Sequence, residues 1–226
     1  MILLVTDTSG KNGSVALART GEPNPDAVQM IEAVPLAGGT FSAQLVPQIA
    51  TLLQKHSLKK TDIDAFIVVS GPGSFTGLRV GLSAIKALAG ILRKPIVPVT
   101  LLEVVALAPG KIGKVLAVLD AGRGEVYAGE YEISSDSAGV QREQLIPQKD
   151  VSSAASGSLL STPDASLAAL ATQAGGTVFE VDSITADMIA GVGWKKLRAQ
   201  QTVTPEQLDA NYIRRSDAEI FAKTSS

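Results

Sequence analysis

The 226-residue chain contains no cysteine and one histidine, His56. Without cysteine there is no disulfide framework, no thiolate metal site and no thiol nucleophile. A zinc or iron centre needs about three or four nitrogen, sulfur or carboxylate ligands. One histidine and no metal-ligand spacing among the carboxylates leave no metal site to expect. Aromatic residues make up only 4% of the chain, so the core must be aliphatic and alanine-rich. Neither sign of charge dominates, with a formal net charge of −2 and a pI near 5.5. That excludes a broad basic surface for binding nucleic acid alone and leaves room for a local patch. No run approaches the ~18 apolar residues of a membrane span. The opening MILLVTDTSG lacks a basic region, and its apolar run is too short for a signal peptide. A soluble cytoplasmic protein with no membrane association is expected.

What is present suffices for a real core: 45% hydrophobic and 19% charged residues, in one large domain or two of about 110 residues. The chain is organised around residues 68–93, VVSGPGSFTGLRVGLSAIKALAGILR. An apolar run ends in Ser70, Gly71, Pro72, Gly73 and Ser74, and a long run with helical spacing follows. A strand, a tight turn and a helix are predicted. Gly71 and Gly73 give the turn backbone freedom, Pro72 stiffens it, and Ser74 or Thr76 can cap the helix. In that helix Arg79, Ser83, Lys86, Gly90 and then Arg93 form one narrow polar stripe. A surface helix needs about 100° of apolar arc to face its own core. This one has more, so it is either central in the fold or covered by a partner. Gly77, Gly81, Ala84 and Ala87 are small enough to admit a second helix toward the short end of the usual ~8–10 Å spacing. The turn from Gly71 to Gly77 is neither a Walker loop nor G-x-G-x-x-G, which makes it a structural loop first and an anion nest second. Ser74 does not sit in a G-x-S-x-G elbow, and nothing places His56 beside it as a base.

The first twenty residues predict a strand, the turn Asp7-Thr8-Ser9-Gly10, and a returning strand, with Asn12-Gly13 as the hairpin signal. An aspartate at a strand end, followed by a hydroxyl- and glycine-rich hairpin, is how the actin, hexokinase and acetate-kinase superfamily holds phosphates. The plainer reading is that Asp7 bonds its own backbone. Residues 21–40 read as a loop and a third strand. Residues 41–56 read as a helix with Phe41, Leu45, Ile49, Leu52 and Leu53 at helical spacing and His56 near its end. Residues 114–131, KVLAVLDAGRGEVYAGEY, then repeat the opening at an offset of about 113, with Asp120 where Asp7 stood. Such a repeat points to two copies of one unit. The expected fold is α/β, a duplicated ribonuclease-H-like (actin/hexokinase-like) architecture. Each lobe carries a mixed sheet and helices, with residues 1–108 in one lobe and 109–226 in a smaller, more divergent one. The second hairpin carries Arg123 and Glu125 where phosphate-contacting hydroxyls would stand. Asp7, Thr8, Ser9 and Asp120 therefore read as vestiges of nucleotide hairpins, with no cofactor expected. Further on, residues 133–160 read as loops and edge strands. Thr162-Pro163-Asp164 opens a helix closed by Gly175-Gly176. A last helix over 185–200 turns Lys195, Lys196 and Arg198 outward.

The string S-G-P-G-S-F-T-G-L-R-V-G-L before an alanine-rich helix resembles the signature of the TsaB (YeaZ) family, non-catalytic paralogues of the tRNA threonylcarbamoyltransferase TsaD. The resemblance is strongest over residues 1–131. It implies a subunit that binds and stabilises a TsaD homologue in making threonylcarbamoyladenosine and helps recruit the ATPase TsaE and tRNA. It implies no catalytic set and no cofactor of its own, tRNA contact only within the complex, and a homodimer when the chain is alone. The expected docking face lies on the helices of about residues 41–56 and 77–93, through Phe41, Leu45, Ile49, Leu78, Leu82, Ile85 and Ala89. Phe41 stands where many members have histidine, and Ala210 where the family's closing Pro-x-Tyr-Leu-Arg string has proline; Tyr212-Ile213-Arg214 matches the rest. Read alone, Arg214 and Arg215 are a solvated pair first, and contacts to phosphate or an acidic partner second. The alternative is a small-molecule phosphotransferase of the same superfamily with an intact nucleotide site, and a peptidase is a third reading.

Overall fold

A computed structural model describes residues 1–21, 24–135 and 137–214. The first sheet runs β1 (Ile2–Asp7), β2 (Asn12–Gly21), β3 (Asn24–Ala37), β4 (Ile63–Gly71) and β5 (Ile96–Thr100), with α1 (Phe41–Lys55) and α2 (Phe75–Leu92) between strands. Its spatial order is β3-β2-β1-β4-β5. β1 pairs antiparallel with β2 and parallel with β4, and β4 pairs parallel with β5. After α3 (Leu101–Leu107) come β6 (Gly113–Gly122), β7 (Glu125–Ile133), β8 (Ala138–Pro147), α4 (Val151–Ala154), β9 (Leu159–Thr162), α5 (Ala165–Gln173), β10 (Val178–Glu180) and α6 (Ala186–Arg198). The second sheet has the order β8-β7-β6-β9-β10. Strand for strand it repeats the first, with the same antiparallel hairpin β6–β7 and the same parallel β6–β9 pairing. The duplicated two-lobe actin-like fold expected from the repeat is the fold observed.

The buried runs explain each lobe. In the first, Leu4, Val15, Leu17, Phe66 and Val68 project from the sheet onto Leu45, Ile49, Leu52 and Leu53 of α1 and Leu78, Leu82, Ile85 and Ala89 of α2. In the second, Leu116, Val118, Val126 and Ala128 meet Val151, Leu160, Leu167 and Ala171. β8, the edge strand of the second sheet, buries none of its ten residues fully. The caps follow short polar side chains. Ser74 Oγ accepts from the Gly77 N–H at 3.3 Å, Asp164 Oδ1 from the Ser166 and Leu167 N–H groups, and Thr185 Oγ1 from the Met188 N–H. Asp164, the last residue of the Thr162-Pro163-Asp164 opening, caps α5. Bonds from the Ser166 hydroxyl and then the backbone N–H groups hold its carboxyl below the usual range.

The division between units differs from the expected cut at 108/109. One unit is Met1–Leu101 with Ile184–Ala210, and the other is Leu102–Ser183 rejoined by the chain from Asn211. The cause is α6, which buries Ile189, Ala190, Val192, Gly193 and Trp194. It packs on the first sheet closely enough that a Cβ on Gly193 would meet Ile67 Cγ2 at 2.5 Å. Residues 203–208 follow it there. The Val203 N–H donates to Ile96 O at 2.8 Å along the β5 edge, and Leu208 is buried in the α1–α2 core.

Candidate functional site

The two strand-end turns are the ones that read as vestiges of nucleotide hairpins. In the first, Asp7 Oδ1 accepts from the Ser9 N–H at 2.8 Å and from the Ser9 hydroxyl at 2.6 Å. Burial pushes the Asp7 carboxyl above the usual aspartate range, and the Ser9 bonds oppose that rise only in part. The Thr8 hydroxyl donates to Gly77 O at 2.8 Å, and Ser9 O accepts from the Ser74 N–H at 2.6 Å. Thr8 and Ser9 are each 2% exposed. The signature turn thus closes directly onto the first hairpin. Two glycines permit it: a Cβ on Gly73 would meet Ser9 O at 2.3 Å, and one on Gly77 would meet Thr8 O at 2.1 Å. Gly81, one helical turn on, faces Thr8 Oγ1 at 2.2 Å in the same sense. These small residues make room for the chain's own β1 turn, not for a second helix. Phe41 completes the seal: a Cβ on Gly13 would meet its ring at 2.7 Å, and one on Gly77 would lie in contact with the same ring at 3.4 Å.

In the second hairpin Asp120 Oδ1 accepts from the Gly122 N–H at 2.9 Å, so Asp120 also bonds its own backbone. Here the turn is closed by Arg214. Its guanidinium donates to Ala121 O at 2.8 Å, Gly122 O at 3.4 Å and Glu125 Oε2 at 2.6 Å. Arg214 is therefore bound rather than solvated, which corrects the expectation for it; Arg215 lies outside the described residues. The Ala121 and Gly122 carbonyls and the Glu125 carboxylate, all acceptors, are a poor cradle for phosphate. Among the described residues no group of three histidine, aspartate or glutamate side chains is placed to hold a metal.

The expected docking residues need a sharper correction. Phe41, Leu45, Ile49, Leu78, Leu82, Ile85 and Ala89 are all buried in the first lobe's own core, none more than 5% exposed. The centre of an apolar arc faces the sheet, and only its margins are left for a partner. On α2 the exposed positions are Thr76, Arg79, Ser83, Ala87, Gly90 and Ile91, flanked by half-buried Val80, Ala84 and Leu88. Ile91 is 74% exposed, and Val46 on α1 is 52% exposed. The guanidinium carbon of Arg79 lies over the Phe75 ring, 3.7 Å from its centroid. The whole helix, 18 residues of mean hydropathy 1.4, reaches the length and composition of a membrane span, yet a third of it is buried. Arg79 and Lys86 interrupt its apolar runs, which hid this from a count of consecutive residues. The polar stripe read from the sequence was the signal that marked the outward direction.

Comparison with known proteins agrees with this architecture. A sequence model of the family described as "TsaD: tRNA N6-adenosine threonylcarbamoyltransferase" matches residues 35–217. The chain is 33% identical over 153 residues to the tRNA threonylcarbamoyladenosine biosynthesis protein TsaB of Bacillus subtilis (strain 168), covering 67% of this chain and 62% of that protein. It is 34% identical over 135 residues to the protein of the same name from Escherichia coli (strain K12), covering 58% and 55%. The matched stretches therefore span less than two thirds of these relatives. YeaZ from Pseudomonas aeruginosa superposes with a TM-score of 0.70 at 22% identity, over 93% of this chain and 99% of that one, and so shares its fold. The chain belongs to the TsaD threonylcarbamoyltransferase family, as a member of its TsaB/YeaZ branch.

Proposed function

We propose that this chain is a non-catalytic scaffold subunit in the biosynthesis of threonylcarbamoyladenosine on tRNA. It acts in the cytoplasm, binds and stabilises a TsaD homologue, helps recruit a TsaE homologue and tRNA to that complex, and pairs with a second copy of itself when TsaD is absent. The observation that carries the reading is the outward side of α2. There an unusually apolar helix presents small and aliphatic residues at its surface, around Ala87 and Ile91. The filled hairpins support the absence of chemistry, since Thr8, Ser9 and the second-turn carbonyls already bond within the chain. The same contacts weigh against a phosphotransferase.

Ala87→Arg tests the surface. The position is exposed in the free chain, so the variant should fold with an unchanged melting temperature. Burying its unpaired charge in a complex should weaken binding to the TsaD homologue at least about tenfold, read by size-exclusion chromatography and titration. A folded variant that binds like the parent removes α2 from the interface.

A further inference from the structure

We infer that the β6–β7 hairpin is a guanidinium-binding site, filled in this chain by its own Arg214. The repeat makes the comparison. Asp7, Thr8 and Ser9 correspond to Asp120, Ala121 and Gly122. In the first lobe the carbonyl of Ser9 is satisfied by the backbone N–H of Ser74 in the signature turn. The second lobe has no such turn: Pro163-Asp164 stands between β9 and α5 where Pro72-Gly73-Ser74 stands between β4 and α2. Its hairpin carbonyls are met by a side chain instead.

The acceptors match a planar fork. Nη1 of Arg214 reaches Ala121 O, and Nη2 reaches both Gly122 O and Glu125 Oε2. The Tyr127 ring stands beside them, with its centroid 6.0 Å from Arg214 Cζ. Three successive left-handed residues, Gly122, Arg123 and Gly124 (φ 71°, 60° and 74°), shape the turn that carries these carbonyls. A guanidinium meets all three acceptors from two nitrogens held in one plane. A compact ammonium meets fewer of them at a time and is more strongly hydrated. The pair is not sealed off, with side-chain exposures of 22% for Arg214 and 40% for Glu125. A small guanidinium compound can therefore enter once Arg214 is removed.

The test follows amide hydrogen exchange of residues 120–126 in the full chain. Arg214→Ala should speed exchange there about tenfold or more, as loss of a charge-assisted contact loosens the turn locally. Methylguanidinium chloride at a concentration on the order of 10 mM, suited to a millimolar site, should restore protection, while sodium chloride at equal ionic strength should not. Arg214→Lys should exchange like Arg214→Ala. Residues 7–14 of the first hairpin are the internal reference. Unchanged exchange in Arg214→Ala, equal rescue by sodium chloride, full protection in Arg214→Lys, or an acceleration shared by residues 7–14 would each overturn the site.

Discussion

Asp7 shows how a single side chain can change meaning with its surroundings. Burial raises its pKa, so the folded state holds a proton that the unfolded chain releases. Stability then falls as pH climbs past the ordinary aspartate value and through the raised one. Asp7→Asn removes that penalty, and an amide oxygen can accept the same two bonds from Ser9. Its melting temperature at neutral pH should equal or exceed the parent's, with the gap closing in acid; a large loss at neutral pH would contradict the assignment. Glu32 has the opposite sign. Hydrogen bonds from Lys55 and then His56 hold its carboxyl down. Its contribution is present above the ordinary glutamate value and fades as pH falls through the lowered one, so Glu32→Gln should flatten the acid limb of a stability profile. Gly81→Ala places a methyl 2.2 Å from Thr8 Oγ1. It should cost about 1–3 kcal/mol by denaturant titration. Much at this scale was legible beforehand: the Ser74 cap and the self-bonded Asp7. The glycines were misread, because composition says that something comes close to Gly77 and Gly81 but not that it is the chain's own Thr8.

At the scale of elements, α2 carries both the core and the proposed docking surface. Ile85 is fully buried, so Ile85→Glu should unfold the first lobe and say nothing about partners, whereas Ala87→Arg leaves the lobe intact. Calorimetry on the two variants separates these sides directly. The segment after α6 behaves as a strap on the same helix. Pro205 lies near Gly90, and Leu208 is buried. Leu208→Ala should cost about 2–5 kcal/mol, although the residue lies far along the chain from the lobe it stabilises. The periodicity of α1, α2 and α6 located all three helices to within a few residues. Periodicity gives an angle around a helix axis and not the identity of what lies at that angle. For that reason the core stripe of α2 read equally well as an interface.

At the scale of the molecule, the duplication is the dominant fact, and the internal repeat from Asp7 to Asp120 was enough to find it. The repeat did not reveal that residues 184–210 return to the first unit, because an amphipathic helix such as α6 demands a sheet without specifying which one. Each lobe keeps its strand-end hairpin, yet closes it with its own atoms: the signature turn in one, Arg214 in the other. A frame of this kind retains the shape of an enzyme family while its hydroxyls and carbonyls are committed internally. On the proposed reading, what the chain contributes is surface, and α2 is where that surface is apolar. The most direct measurement is threonylcarbamoyladenosine formation on tRNA in a reaction reconstituted from the TsaD homologue, the other proteins of that biosynthesis and their substrates, with and without this chain. Modification that depends on the chain, persists with Asp7→Asn and fails with Ala87→Arg is the predicted result. Modification that ignores the chain, together with ATP turnover by the chain alone that Asp7→Asn abolishes, would contradict it.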